Sequence, residues 1–214
     1  MKRGIKPAYQ SVMFTAMGLA SMALGFNAVA RTMPQSQYPV LFIVSLALGG
    51  LIGTVLDLDG RFKALVNHFD KDGGDANNLA KGLSTGILLY CIGTFSIVGP
   101  MMSALQGDNT FLYTNATLDL ITSAVLAATY GIGMIWAAPV LFCWQGAFYL
   151  VAWLCGPIIP DALISEIITV GGTLIVASGL SLLNIKDCKT LNLIPSLFIP
   201  ILFFLIKSLY VTLT

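Results

Sequence analysis

Charge is what this chain has least of. Only 10% of its 214 residues are Asp, Glu, Lys or Arg and 57% are hydrophobic, where an ordinary soluble domain carries about 25% charged residues. From Leu83 to Ile185 the only charges are Asp108, Asp119, Asp161 and Glu166. So few cannot cover a face turned to water, and the solvent for most of the chain is therefore lipid. A net charge of +1 gives no electrostatic footprint for nucleic acid. Histidine occurs once, as His68, and Cys91, Cys143, Cys155 and Cys188 form no C-x-x-C pair, so no metal centre or redox pair is expected. The run Asp70-Lys71-Asp72-Gly73-Gly74-Asp75 lacks the spacing and closing Glu of a calcium loop. Neither a nucleophile–base pattern nor a phosphate-cradling glycine loop occurs. The expectation is no cofactor and no enzyme.

Long apolar runs are what the chain does have. Crossing the roughly 30 Å hydrocarbon core takes about 20 apolar helical residues. Seven stretches qualify: 9–30, 38–57, 79–99, 114–136, 138–156, 164–185 and 191–211. The sequence thus predicts a single all-α polytopic membrane domain over 1–214. Between the second and third spans, Leu58, Phe62, Leu65, Val66 and Phe69 recur at helical spacing opposite Asp59, Arg61, Lys63 and Asn67. That pattern predicts an interfacial helix over 58–70, with His68 as a solvated residue on its polar edge.

Lys and Arg near span ends favour the cytoplasmic side. Lys2, Arg3 and Lys6 precede the first span, Arg61, Lys63, Lys71 and Lys81 follow the second, and Lys186 and Lys189 follow the sixth. If each span crosses once, these nine share one face, leaving Arg31 and Lys207. The amino terminus is then cytoplasmic and the carboxyl terminus external. The basic start, apolar run and Ala28-Val29-Ala30 imitate a signal peptide. The run of about 22 residues is too long for a signal core of 7–15, so it is read as a span.

Three glycine pairs share one spacing of seven: Gly18 and Gly25, Gly86 and Gly93, Gly172 and Gly179. Around the last two pairs other marks keep the same order. Gly49-Gly50 and Gln145-Gly146 stand upstream, and Thr117-Leu118-Asp119-Leu120-Ile121-Thr122-Ser123 and Thr190-Leu191-Asn192-Leu193-Ile194-Pro195-Ser196 stand downstream. Residues 38–136 and 138–211 therefore read as two copies of a three-helix unit. Because three is odd, the second copy enters the membrane from the opposite side. The first copy's connector carries Arg61, Lys63 and Lys71, the second's only Asp161 and Glu166. A 3+3 inverted-topology repeat of this kind is typical of secondary transporters. The first span, 9–30, is left as an orphan helix.

Asp119 is the acid out of place, since an ionisable group within a span is costly and a functional candidate by default. Desolvation favours its neutral form and a bound cation its charged form, the competition by which a carboxylate couples ions to transport. Lying five residues into its span, it is equally readable as a hydrated interfacial group. Asn192 matches it in the second copy, and Gln145 sits in the middle of the fifth span; both read as ligands or as helix-to-helix hydrogen bonds. Gly49, Gly50, Gly53, Gly93 and Gly179 read as close-packing positions or as backbone exposed to a substrate. Gly99-Pro100 is expected to break the third span, with Met101 to Tyr113 as a re-entrant loop or an external connector. Pro195 and Pro200 predict a kinked or broken last helix. Asp161 and Glu166 are read as structural acids at a helix amino end.

Further residues carry a resemblance. Cys91-Ile92-Gly93, Ile97-Val98-Gly99, Gly107-Asp108, Leu112-Tyr113-Thr114, Leu118-Asp119, Gln145-Gly146, Asp161-Ala162, Val170-Gly171-Gly172 and Asn192 to Pro195, with Leu48 to Leu58 and Gly60-Arg61, resemble the YdfK/YqgA-like family of bacterial inner-membrane proteins. The resemblance covers nearly the whole chain and implies transport without naming a substrate. Family members typically begin with another glycine-rich apolar helix, which matches the orphan status of the first span. Where the family often carries an acidic residue and a lysine, this chain has Ser103 and Asn115.

The leading expectation is a secondary transporter of a small solute or ion, cation-coupled, with a site between the inverted units built from Asp119, Asn192, Gln145 and backbone near Gly49, Gly50, Gly93 and Gly179. The rivals are a non-transporting membrane scaffold and a small channel formed by an oligomer. The expected partners are the lipid bilayer, one small solute or ion and a second copy of the chain in a dimer.

Overall fold

The computed structural model describes residues 7–61, 64, 87, 90–91, 94–130, 132–156 and 159–213. Among them every regular element is helical. Helix α1 is Pro7–Thr32, followed by a 3-10 turn at Met33–Gln35, and α2 is Leu41–Val55. Helices α3 (Thr94–Gln106) and α4 (Thr110–Tyr130) follow, then a 3-10 turn Ile132–Trp136 and α5 (Ala137–Cys155). Helix α6 is Asp161–Leu182. The last segment is discontinuous: α7 (Thr190–Leu193), a 3-10 turn Ile194–Leu197, and α8 (Phe198–Leu213).

Five stretches are long and apolar enough to cross a membrane: Ser11–Gln35, Thr110–Ala128, Met134–Cys155, Asp161–Leu182 and Thr190–Tyr210. They match the first, fourth, fifth, sixth and seventh expected spans. Helix α2 has 15 residues, about 22 Å at 1.5 Å per residue. It stops short because Asp57, two residues beyond it, takes a left-handed backbone with φ of 47°. Most of the expected span 79–99 and of the interfacial helix 58–70 lies outside the described residues. Residues 58–61 are helical.

Contacts divide the chain into two compact units, one of Met1–Met17 and Gly60–Leu154 and the other of Gly18–Asp59 and Cys155–Thr214. These interleave along the chain, whereas the repeat expected from the sequence is sequential. Compactness concerns contacts and a repeat concerns kinship of segments, so neither decides the other.

In the unit of Gly18–Asp59 and Cys155–Thr214, packing follows membrane logic, with small residues inside and large apolar ones outside. Helix α2 buries Leu41, Ser45, Gly49 and Gly53 at intervals of four, while Ile43, Val44, Leu48, Leu51, Ile52 and Val55 are exposed. A Cβ on Gly49 would overlap the backbone of Ser196, and one on Gly53 the carbonyl of Asn192. Backbone thus lies against backbone where the last helix is broken. Pro195 is why it is broken there, since proline has no N–H for the helical ladder. Gly18 and Gly25 of α1 meet Gly179 and Gly172 of α6 in antiparallel order. A Cβ on Gly25 would lie 2.6 Å from the Gly172 carbonyl, and one on Gly179 would lie 2.9 Å from that of Gly18. Two of the pairs noted for spacing are therefore each other's contacts. Helix α6 is enclosed on all sides over Leu163 to Gly172.

In the unit of Met1–Met17 and Gly60–Leu154, the expected break at Gly99-Pro100 does not occur. Pro100 lies inside α3, fully buried, because a membrane helix tolerates proline where neighbours satisfy the freed backbone. The helix ends instead at Gly107, in the left-handed region with φ of 67°, the usual place for a glycine. The segment expected as a long loop is therefore helix to Gln106 and a short turn to Thr110. Asp108 Oδ1 accepts the Thr110 N–H at 2.9 Å and starts α4.

Candidate ion or solute site

Helix α4 begins at Thr110, so Asp119 lies nine residues along it, about 14 Å along the axis. That is deeper than its expected position five residues into a span. The residue is half-buried. Its Oδ2 accepts a hydrogen bond from Asn115 Nδ2 at 2.8 Å, one turn earlier on the same face. The same Asn115 nitrogen donates to Ser96 Oγ of α3 at 3.1 Å. Gln145 Nε2 of α5 also donates to Ser96 Oγ, at 3.4 Å, and Ser96 donates its own proton to the Tyr90 carbonyl.

This wiring is directional. A hydroxyl has one donor and two acceptor sites, and Ser96 uses all three. Asn115 therefore has to point its amide nitrogen at Asp119. Ser96 is fully buried and Asn115 is 5% exposed, so these two are held away from solvent, while Asp119 and Gln145 are half-buried. Among the described residues only Oδ2 of Asp119 is engaged by it, and Oδ1 is the oxygen that can meet a ligand. One turn beyond Asp119, Ser123 Oγ pairs with the Tyr90 hydroxyl at 2.7 Å. Chemically, this is an orientable carboxylate flanked by amide and hydroxyl groups where three helices converge.

The structure thus joins Asp119 and Gln145 through Ser96 and Asn115. Asn192 lies in the other compact unit, as do Gly49, Gly50 and Gly179. There Asn192 is buried and its Oδ1 accepts the Asp59 N–H at 2.8 Å, tying the broken helix to the chain just after α2. Asn192→Ala is expected to lower stability by about 1 kcal/mol or more, measured as a shift in thermal unfolding of the purified protein. An unchanged Tm would show that the bond carries no weight. Gly49 and Gly179 are packing positions, as described above, and a Cβ on Gly50 would lie 3.0 Å from Leu193 Cδ2. By contrast, a Cβ on Gly146 would meet nothing within 4 Å. Gly93 lies outside the described residues, as does Gly86.

Two participants were not foreseen as site residues. Asn115 is four residues before Asp119 and hence on its face of a helix, a signal present in the sequence. Ser96 had no such signal, because its link to α4 and α5 is tertiary.

Comparison with known proteins follows the same lines. A family profile described as "Protein of unknown function (DUF554)" matches residues 1–205. The chain is 56% identical over 199 residues to the "Uncharacterized membrane protein YdfK" of Bacillus subtilis, covering 93% of this chain and 85% of that one. It is 26% identical over 192 residues to the "Uncharacterized protein YqgA" of Escherichia coli, covering 86% of this chain and 80% of that one. No solved structure matches the chain significantly. With a profile matching almost its full length and a relative so similar, this helical membrane chain belongs to the DUF554 family.

Proposed function

We propose that this protein is a secondary transporter of a small solute or ion, driven by a coupled cation, in the bacterial inner membrane. The observation that carries the reading is the Asp119–Asn115–Ser96–Gln145 network. An acid within a span is expensive, so it is retained where it serves an ion or substrate pathway. Here its geometry is fixed by a fully used hydroxyl, which leaves one carboxylate oxygen for a cation or a cationic substrate group.

The 3+3 inverted repeat belongs to this proposal. Ser96, Asn115 and Asp119 fall in its first copy, 38–136, and Gln145 in its second, 138–211. The candidate site therefore sits between the two copies while lying inside one compact unit. Transporter sites formed where inverted repeats meet follow the same plan, and such folds also contain discontinuous helices. The break at Ile194–Leu197 supplies a discontinuous helix in the second copy. Seven spans, a cytoplasmic amino terminus, an external carboxyl terminus and a homodimer complete the proposal, with no catalytic chemistry.

Two experiments address it. The first is uptake by the purified protein in liposomes under an imposed cation gradient. Solute or ion movement that follows the gradient supports transport, and none with any cation or solute tested counts against it. The second is a fusion reporter at the carboxyl terminus. Alkaline phosphatase should be active there and a green fluorescent protein dark; the reverse pattern would place the nine basic residues on the wrong side. A stoichiometric second protein co-purifying with an inert chain would favour the scaffold reading.

A further inference from the structure

Glu166 is the most deeply buried charged side chain among the described residues, 1% exposed, and the Asp119 network does not use it. It is the sixth residue of α6, past the helix amino end where an acid of that position would be structural. Its Oε1 accepts the Ser36 hydroxyl at 2.6 Å and the Tyr38 N–H at 3.1 Å. Its Oε2 is equally cut off from solvent and has no hydrogen-bond partner among the described residues. A buried carboxylate with one oxygen unmatched is a costly state. Something of complementary charge belongs at that oxygen.

The surroundings narrow what it is. Thr169, three residues further along the same face of α6, shares a hydrogen bond with Thr32 at 2.8 Å and bonds back to the Ser165 carbonyl at 2.8 Å. Thr32, Ser165 and Thr169 are all buried. The donors gathered here are oxygens, which suit a hard cation rather than a thiophilic or imidazole-seeking metal. A single carboxylate balances a single positive charge, whereas a divalent ion would leave a net charge in the interior. The charged groups on the elements packed around it are Arg31 at the end of α1, Asp161 at the start of α6 and Lys207 of α8, all exposed. Lys207 is committed to the hydroxyl and ring of Tyr38.

We infer that Glu166 binds a dehydrated monovalent alkali cation, sodium being the probe that tests it, and that Thr169, one turn on, and the Thr32 bonded to it lend their hydroxyl oxygens. This site stands apart from the Asp119 reading, being built in the other compact unit from other side chains.

The test uses the full chain purified in detergent, with NaCl compared against choline chloride at equal ionic strength. Saturating sodium should raise the Tm by about 5 °C or more, and KCl should raise it less. The sodium effect should fall several-fold in Glu166→Gln, which keeps an acceptor for Ser36 and Tyr38 but loses the charge, and persist in full in Gly146→Ala, where open space surrounds the added methyl. A second readout needs no variant. Carbodiimide labelling of Glu166, followed by mass spectrometry, should be slowed several-fold by sodium and not by choline. Sodium that neither raises the Tm nor slows labelling overturns the site, and so does a sodium effect intact in Glu166→Gln. A sodium effect lost only in Asp119→Asn overturns it too, and assigns the ion to the other carboxylate.

Discussion

Gly53→Ala is expected to leave little folded protein, and Gly49→Ala nearly as little. Both positions face the broken segment at Thr190–Leu197, and in both the added methyl would land on backbone: the Asn192 carbonyl at one, the Ser196 Cα and nitrogen at the other. Side chains can turn away from an intruding methyl, but backbone held in a helical turn, as at Asn192 and Ser196, cannot. The helices would have to separate along a buried stripe that includes Ser45. Overpacking of a well-filled interior costs about 1–3 kcal/mol even where side chains can adjust; here the upper end or more is expected. Folded yield and Tm after membrane extraction are the readouts. Gly146→Ala is the control, because open space surrounds that position and alanine is the better helix former. If Gly53→Ala and Gly146→Ala behaved alike, the close packing of α2 on the broken helix would be wrong.

Asp119→Asn should act in the opposite manner, sparing the fold and removing the chemistry. Asparagine fills the same volume and can still accept from Asn115, so Tm should change little. What disappears is the charge that, on the proposed reading, faces the cation. At an effective dielectric of about 20, unit charges 4 Å apart interact by about 4 kcal/mol. Discounting that for a half-exposed carboxylate still leaves a loss of about 100-fold in cation affinity, read by titration calorimetry. Asn115→Ala should lower affinity less, since it frees Asp119 to turn without removing its charge. Equal affinities in all three proteins would leave the Asp119 network as helix packing and nothing more.

What could be read from the chain and what could not divides on physical grounds. Spans are readable because lipid demands apolar length regardless of tertiary partners, and the broken last helix because Pro195 lacks a donor wherever it sits. The same reasoning failed at Pro100, which α3 absorbs within its buried interior. Glycine spacing in α1 and α6 announced close contact, yet spacing is a property of one helix. That Gly25 meets Gly172 and Gly18 meets Gly179 depends on how helices dock. Asp119 could be singled out by its cost, and Asn115 by its turn of helix, while Ser96 and Gln145 joined them only through folding. Glu166 could be read as a structural acid, but its burial could not, because an acid near a helix start ordinarily faces water. Here the turn through Ser36 and Tyr38 closes over it.

The central claim is that Asp119 serves a transported or coupling ion. Liposomes carrying the purified chain, or its Asp119→Asn variant at equal density, put it to the most direct test. Under the same cation gradient, the native protein should show gradient-dependent uptake and the folded variant should fall to the level of empty liposomes. Uptake by the variant at the native rate would contradict the account.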